Sequence, residues 1–183
     1  EDGYYASYLY GRQNLTRTQQ SETLGESFCV LFGIADEERA AKVISSMPVG
    51  EFGPPIFSPQ IVSQPDYHNN GVWPYVTSFW GKAAAKVGNE TALMHALACN
   101  VRTASIYATN YENYSFNTGN PYTTQINSPN MLWGLSGFMG LFHRTFFGLE
   151  FTKEGLALKP FIPTVLAGTR KLEAFPYRGM KLD

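Results

Sequence analysis

Charge is what this sequence has least of. Lys, Arg, Asp and Glu together make up 16% of the 183 residues, against roughly a quarter in an ordinary soluble domain. The basic residues stand singly and the net charge is −1, so no basic stripe exists to follow a phosphate backbone, and nucleic acid is not expected as a partner. Apolar runs are short as well. None nears the roughly 20 residues that cross a bilayer, so no membrane partner is expected either. The opening Glu1-Asp2-Gly3 has no signal-peptide pattern. Cysteine occurs twice, at Cys29 and Cys99, each in an apolar helical stretch. Both are expected as buried free thiols, and neither fixes the redox compartment. His68 is far in sequence from His95 and His143, and no cysteine pair accompanies them, so no metal site is expected.

What the chain does have is aromatic surface. It carries 11 Tyr, 13 Phe and 3 Trp within a 44% hydrophobic composition. That is enough for one domain with a sizeable core and for an aromatic-lined cavity. Residues 21–33 predict a helix with Ser21 as cap and Leu24, Phe28, Leu31 and Phe32 on one face. Asp36 opens a second helix that Pro48 stops. Residues 49–72 are rich in proline and glycine and keep no period, which marks a long loop of the kind that carries function. A second helical hairpin is predicted over Trp73–Val87 and Glu90–Thr109, turning at Gly88-Asn89, apolar nearly all round and therefore buried. After a polar loop at 110–127, a fifth helix is expected over about 129–147. From Leu149 the pattern alternates, with a hairpin turn at Lys153-Glu154-Gly155 and further strands around Phe175 and Met180.

Four stretches resemble the six-hairpin glycosidases, the (α/α)6-barrel superfamily of glucoamylases, trehalases, processing α-glucosidases, debranching-like enzymes and inverting sugar phosphorylases. Tyr67-His68-Asn69-Asn70-Gly71-Val72-Trp73-Pro74 resembles a YHNG-x-x-WP element that lines the sugar pocket. Its glycine stands one place late, which leaves open whether Asn69 or Asn70 takes the pocket position. Glu112 with Tyr114 and Thr118-Gly119 resembles the E-x-Y-x-x-x-T-G loop of the catalytic base. Ser21–Leu24 with Gly33–Ala40 resembles the preceding hairpin, and Gly155–Pro160 with Tyr177–Gly179 the closing β-segments. The resemblance implies a mainly α fold. Residues 1–148 would form helical hairpins of a partial barrel and residues 149–183 a short C-terminal β segment. The remaining N-terminal half of the barrel, or a second chain, would be the partner. The implied activity is inverting hydrolysis of an α-linked sugar in an oligosaccharide or glycoside, with Glu112 as general base. Inversion needs a second carboxylate as acid, expected N-terminal to this chain.

The other candidates each carry a plainer reading. Tyr111 and Tyr114 flank Glu112, to hydrogen-bond it or stack on a sugar. Trp73 before Pro74 is a packing device at a helix start or a sugar platform. Trp133 is expected to be buried. Glu22 and Glu26 fit compensation of a helix dipole better than acid catalysis. Asp66 fits a turn residue or a sugar ligand. Arg12 would bind a sugar hydroxyl or a backbone carbonyl. The sequons at Asn14, Asn89 and Asn113 read as chance matches, because a glycan at Asn113 would obstruct the base. Two other classes remain: an inverting phosphorylase, which needs no base glutamate, and a carbohydrate-binding or assembly protein without chemistry. A plain helical interaction module would have no concave aromatic pocket.

Overall fold

A computed structural model describes residues 3–183; Glu1 and Asp2 lie outside the described residues. The chain divides into two compact units, Glu1–Leu141 and Phe142–Asp183.

In the first unit the chain opens with a two-stranded hairpin, β1 (Leu9–Tyr10) and β2 (Thr16–Arg17). Strand β3 (Ser21–Glu22) then runs into α1 (Thr23–Leu31). The cap of α1 is Glu22, whose carboxylate accepts from Leu24 N at 3.1 Å and Gly25 N at 2.5 Å. Ser21, the expected cap, is drawn instead to β4 (Phe57–Ser58), where its hydroxyl donates to the Ser58 carbonyl. Asp36 caps α2 (Glu37–Ser46) by accepting from Arg39 N at 2.8 Å. Trp73 precedes α3 (Pro74–Lys86), with proline at the position where a missing N–H costs nothing. Asn89 caps α4 (Glu90–Tyr107), which ends on Ala108 in the left-handed region. Last comes α5 (Leu132–Gly140), which continues as a π-helical turn over Leu141–Phe146.

Helix α3 is the hub, packed against α1, α4 and α5. Small residues explain why. Ala83 and Ala84 on α3 and Ala96 on α4 are fully buried, and a Cβ on Gly81 would press on Ala96 and Leu141. The same device brings in α5. Gly134, Gly137 and Gly140 recur every third residue, and a Cβ on each would meet Pro74, Ser78 and Lys82, which recur every fourth residue on α3. One row of small residues on α5 thus lies along one ridge of α3. Lys86 at the end of α3 donates to the carbonyls of Val30 and Leu31, satisfying the open end of α1.

The expectation of a mainly helical barrel segment is overturned. Among the described residues helix makes up 38% and strand 14%, as five helices with five small two-stranded antiparallel sheets, so this is a small mixed domain. The physical reason is the hub. In a ring of hairpins each helix covers its sequence neighbours, whereas here α1, α4 and α5 all gather on α3. The stretches expected as loops also carry strands, among them β5 (Gly71–Val72) and β6 (Tyr114–Ser115), which pair with each other. The helices are not buried all round: Val101 and Ile106 of α4, and Leu132, Trp133, Leu135 and Met139 of α5, are exposed. Cys99 is buried as expected, but Cys29 is only half-buried; both are free.

The second unit pairs β7 (Leu149–Phe151) with β8 (Leu156–Leu158) across the expected turn, and β9 (Phe175–Tyr177) with β10 (Met180–Leu182). A cavity of about 740 Å³ within this unit is lined by Leu149, Leu158, Leu172 and Phe175 among others, and by none of the predicted site residues.

Candidate functional site

Two loops far apart in sequence are stitched together by the β5–β6 pair, with Gly71 opposite Ser115 and Val72 opposite Tyr114. Gly71 has to be glycine, because a Cβ there would collide with the Tyr67 carbonyl. That carbonyl also accepts the indole N–H of Trp73 at 3.0 Å, which closes the 67–73 turn on itself. Asp66 ties the two loops a second time. One carboxylate oxygen accepts from Asn70 Nδ2 and the other from Ser115 Oγ, each at 2.7 Å, while its carbonyl accepts from Gln125 N. Asp66 is therefore a loop-fixing residue with both oxygens engaged.

The asparagines part company. Asn69 accepts from Ile61 N and donates to the carbonyls of Ile61 and Gln64, so its side chain organises its own loop. Asn70 adopts φ +50° and keeps its Oδ1 buried without a hydrogen-bond donor. That oxygen is closed off from solvent, so neither asparagine presents a free amide acceptor at the surface.

Glu112 sits where the 108–128 loop meets the start of α5. Its N–H donates to the Ser128 carbonyl at 2.9 Å, and Met131 N donates to the Asn110 carbonyl at 2.7 Å, so the loop and the helix start are clipped together. Its half-buried carboxylate has no hydrogen bond and no ion pair among the described residues. Burial raises its pKa above the usual carboxylate range, and the charge of His68 pulls it partly back. Burial, and after it the negative charge of Glu112, raises the pKa of the Tyr67 phenol. Tyr67, His68 and Glu112 thus share one electrostatic neighbourhood. No other carboxylate among the described residues acts on Glu112.

An aromatic cluster stands behind this group. Trp73 contacts Tyr67 at 5.1 Å, His68 at 5.0 Å and Trp133 at 5.4 Å between ring centroids. Trp73 itself is only 5% exposed, so it is the packed centre of the cluster and offers no open face. Trp133, expected to be buried, is 39% exposed and stacks on Tyr75 at 5.1 Å with 20° between the planes. Glycine at every third position of α5 marks the face against α3, and Trp133 lies on that same side, in the first turn of α5, where it packs on Tyr75 and Trp73 at the start of α3.

The remaining candidates fall outside this neighbourhood or inside the protein. Tyr114 is fully buried, stacked on Tyr107, and its hydroxyl accepts from Tyr111 N. It supports the backbone before Glu112 and presents no face to a ligand. The Tyr111 hydroxyl lies 3.2 Å from that of Tyr122. Arg12 is exposed in the β1–β2 turn and makes no hydrogen bond or ion pair with another described residue. Asn113 is buried and bonded to the Ile126 carbonyl, so its sequon is inaccessible in the folded chain. Among the described residues, no three His, Cys, Asp or Glu side chains gather to hold a metal, and no helix is long and apolar enough to cross a membrane. No protein-family model and no curated protein matches the chain.

Proposed function

We propose that this chain forms part of a glycoside hydrolase that cleaves an α-linked sugar with inversion, and that Glu112 is its general base. The observation that carries this reading is the state of the Glu112 carboxylate. It is half-buried, has no hydrogen-bond donor and has a pKa pushed up by desolvation, all beside Tyr67 and His68. A base that activates water needs a free lone pair and a raised proton affinity, and both are supported here. The reading also requires a general acid about 6.5–9.5 Å away across the sugar, supplied by another segment or a second chain. No cofactor enters the reaction.

The test is Glu112→Gln assayed on α-linked disaccharides. We expect kcat to fall by about 10²–10⁴-fold with substrate binding retained. Retention of more than roughly a tenth of the activity removes Glu112 from this role. One observation favours a second reading, a carbohydrate-binding protein without chemistry: no other carboxylate among the described residues acts on Glu112. Saccharide binding with no hydrolysis under any pH or partner condition would select it.

A further inference from the structure

We infer that Trp133, held flat by Tyr75, is the platform on which a neutral pyranose ring stacks, so that the site selects a six-membered sugar ring through α5 as well as through its loops. The inference rests on the reading of Glu112 as part of a saccharide site.

Trp133 is the large aromatic of the cluster that keeps an open face: Trp73 is 5% exposed and Trp133 39%. The orientation of that face is fixed from three directions. Tyr75 lies nearly parallel beneath it at 5.1 Å, and Trp73 meets it edge-on at 5.4 Å. Its helix is pressed onto the first turns of α3 by Gly134 against Pro74 and Gly137 against Ser78. A rigid indole loses little conformational freedom on binding. Its negative π face suits the slightly positive axial C–H bonds of a pyranose.

Charge and hydrogen bonding narrow the occupant. From Leu132 to Gly140 the helix carries no charged residue, so the face is built for a neutral group. An apolar protein segment would fit Leu132, Leu135 and Met139 too, but it would bring no donor to the half-buried Glu112 carboxylate, which makes no hydrogen bond among the described residues. A saccharide brings apolar C–H faces and many O–H donors together; an apolar helix brings only the first. The clips from Asn110 to Met131 and from Ser128 to Glu112 hold the platform and the carboxylate in one frame.

The experiment is titration of the protein with maltose, isomaltose and trehalose, followed by tryptophan fluorescence and calorimetry, for wild type, Trp133→Ala, Trp133→Phe and Glu112→Gln. We expect saccharide to perturb the wild-type emission and Trp133→Ala to weaken binding roughly tenfold or more, equivalent to about 1.4 kcal/mol. Trp133→Phe keeps a ring and should bind within about threefold of wild type, which separates a lost platform from a misfolded helix. Glu112→Gln should bind normally, and its hydrolysis tests the base separately. If Glu112→Gln stays active while Trp133→Ala loses binding, the platform stands and the base assignment falls. Unchanged binding by Trp133→Ala, no binding of any of the three sugars by wild type, or a loss confined to self-association on gel filtration would each overturn the platform.

Discussion

Two regions of this molecule bury a glutamate and raise its pKa for the same first reason, desolvation, yet they have opposite character. In the α1–α2 region Glu26 is 3% exposed and its pKa is raised to about 7. Its carboxylate accepts from Tyr5 N at 2.6 Å. Arg39 opposes the burial with its charge, donates to the Tyr4 carbonyl and lies over the Tyr5 ring at 4.6 Å. Glu26 and Arg39 together fasten the segment before β1 onto the first two helices. In the loop before α5, Glu112 is less buried and holds no such partner. A raised pKa is common to both, so it does not identify function. Hydrogen bonding separates them: Glu26 has one oxygen holding the Tyr5 N–H and the other sealed in the core without a partner, whereas the half-buried Glu112 carboxylate makes no hydrogen bond among the described residues.

The sharpest way to break that comparison is to neutralise each glutamate in turn. Glu112→Gln should lower kcat by about 10²–10⁴-fold, as above, while shifting stability by less than about 1 kcal/mol, because no bond is lost. Glu26→Gln should leave kcat and KM as they are and change the unfolding midpoint instead. A swap of these outcomes, with activity following Glu26, would make the α1–α2 region the functional one.

The next largest effect belongs to the tie between the loops. Asp66 accepts from Asn70 and Ser115 and has no substitute for either donor. Asp66→Ala should lower stability by at least about 3 kcal/mol, since each lost bond to a charged group is worth roughly 1.5–3 kcal/mol. Saccharide binding should weaken with it, because β5 and β6 would no longer hold Tyr67 and Glu112 together. Denaturant unfolding with a parallel sugar titration measures both. Lost stability with undiminished sugar affinity would show that the loops find each other without Asp66.

Much of the local structure is legible in the sequence. Asp36 caps α2, Gly88-Asn89 turns α3 into α4, Trp73-Pro74 opens α3, and the 153–155 turn joins two strands. Each of these is a signal contained within a few neighbouring residues. What was not legible depends on partners distant in sequence. Ser21 looked like a cap until Ser58 claimed it. Strands β5 and β6 are two residues long, so they carry no period and are defined only by each other. The barrel expectation failed because the apolar residues of a helix do not say which helix will cover them; the small residues of α3 do, through Gly81, Ala83 and Ala84. At the site, the sequence brought out Glu112, Tyr67 and His68, which share one neighbourhood. It could not tell Asn69 from Asn70, since both have the same side chain and only the loop geometry decides whose oxygen is taken.

The smallest effect sharpens the comparison through pH. Glu26 titrates near its ordinary value of 4.5 when the chain is unfolded and at about 7 when folded. Between those values the folded protein binds a proton that the unfolded chain has released. Stability is therefore fully present below pH 4.5 and declines as pH rises to about 7. The groups acting on Glu26 are the Arg39 charge and the Tyr5 N–H, which favour the carboxylate, and Glu22, which disfavours it. The loss from this residue should be on the order of 3 kcal/mol. Glu26→Gln keeps an oxygen for Tyr5 N and has no charge to desolvate, so its stability should stay level across the same window. Thermal melts of both proteins between pH 4.5 and pH 8 should then diverge with rising pH, the variant becoming the more stable. Parallel curves would mean that Arg39 already compensates the carboxylate in full, and the contrast between the two glutamates would rest on hydrogen bonding alone.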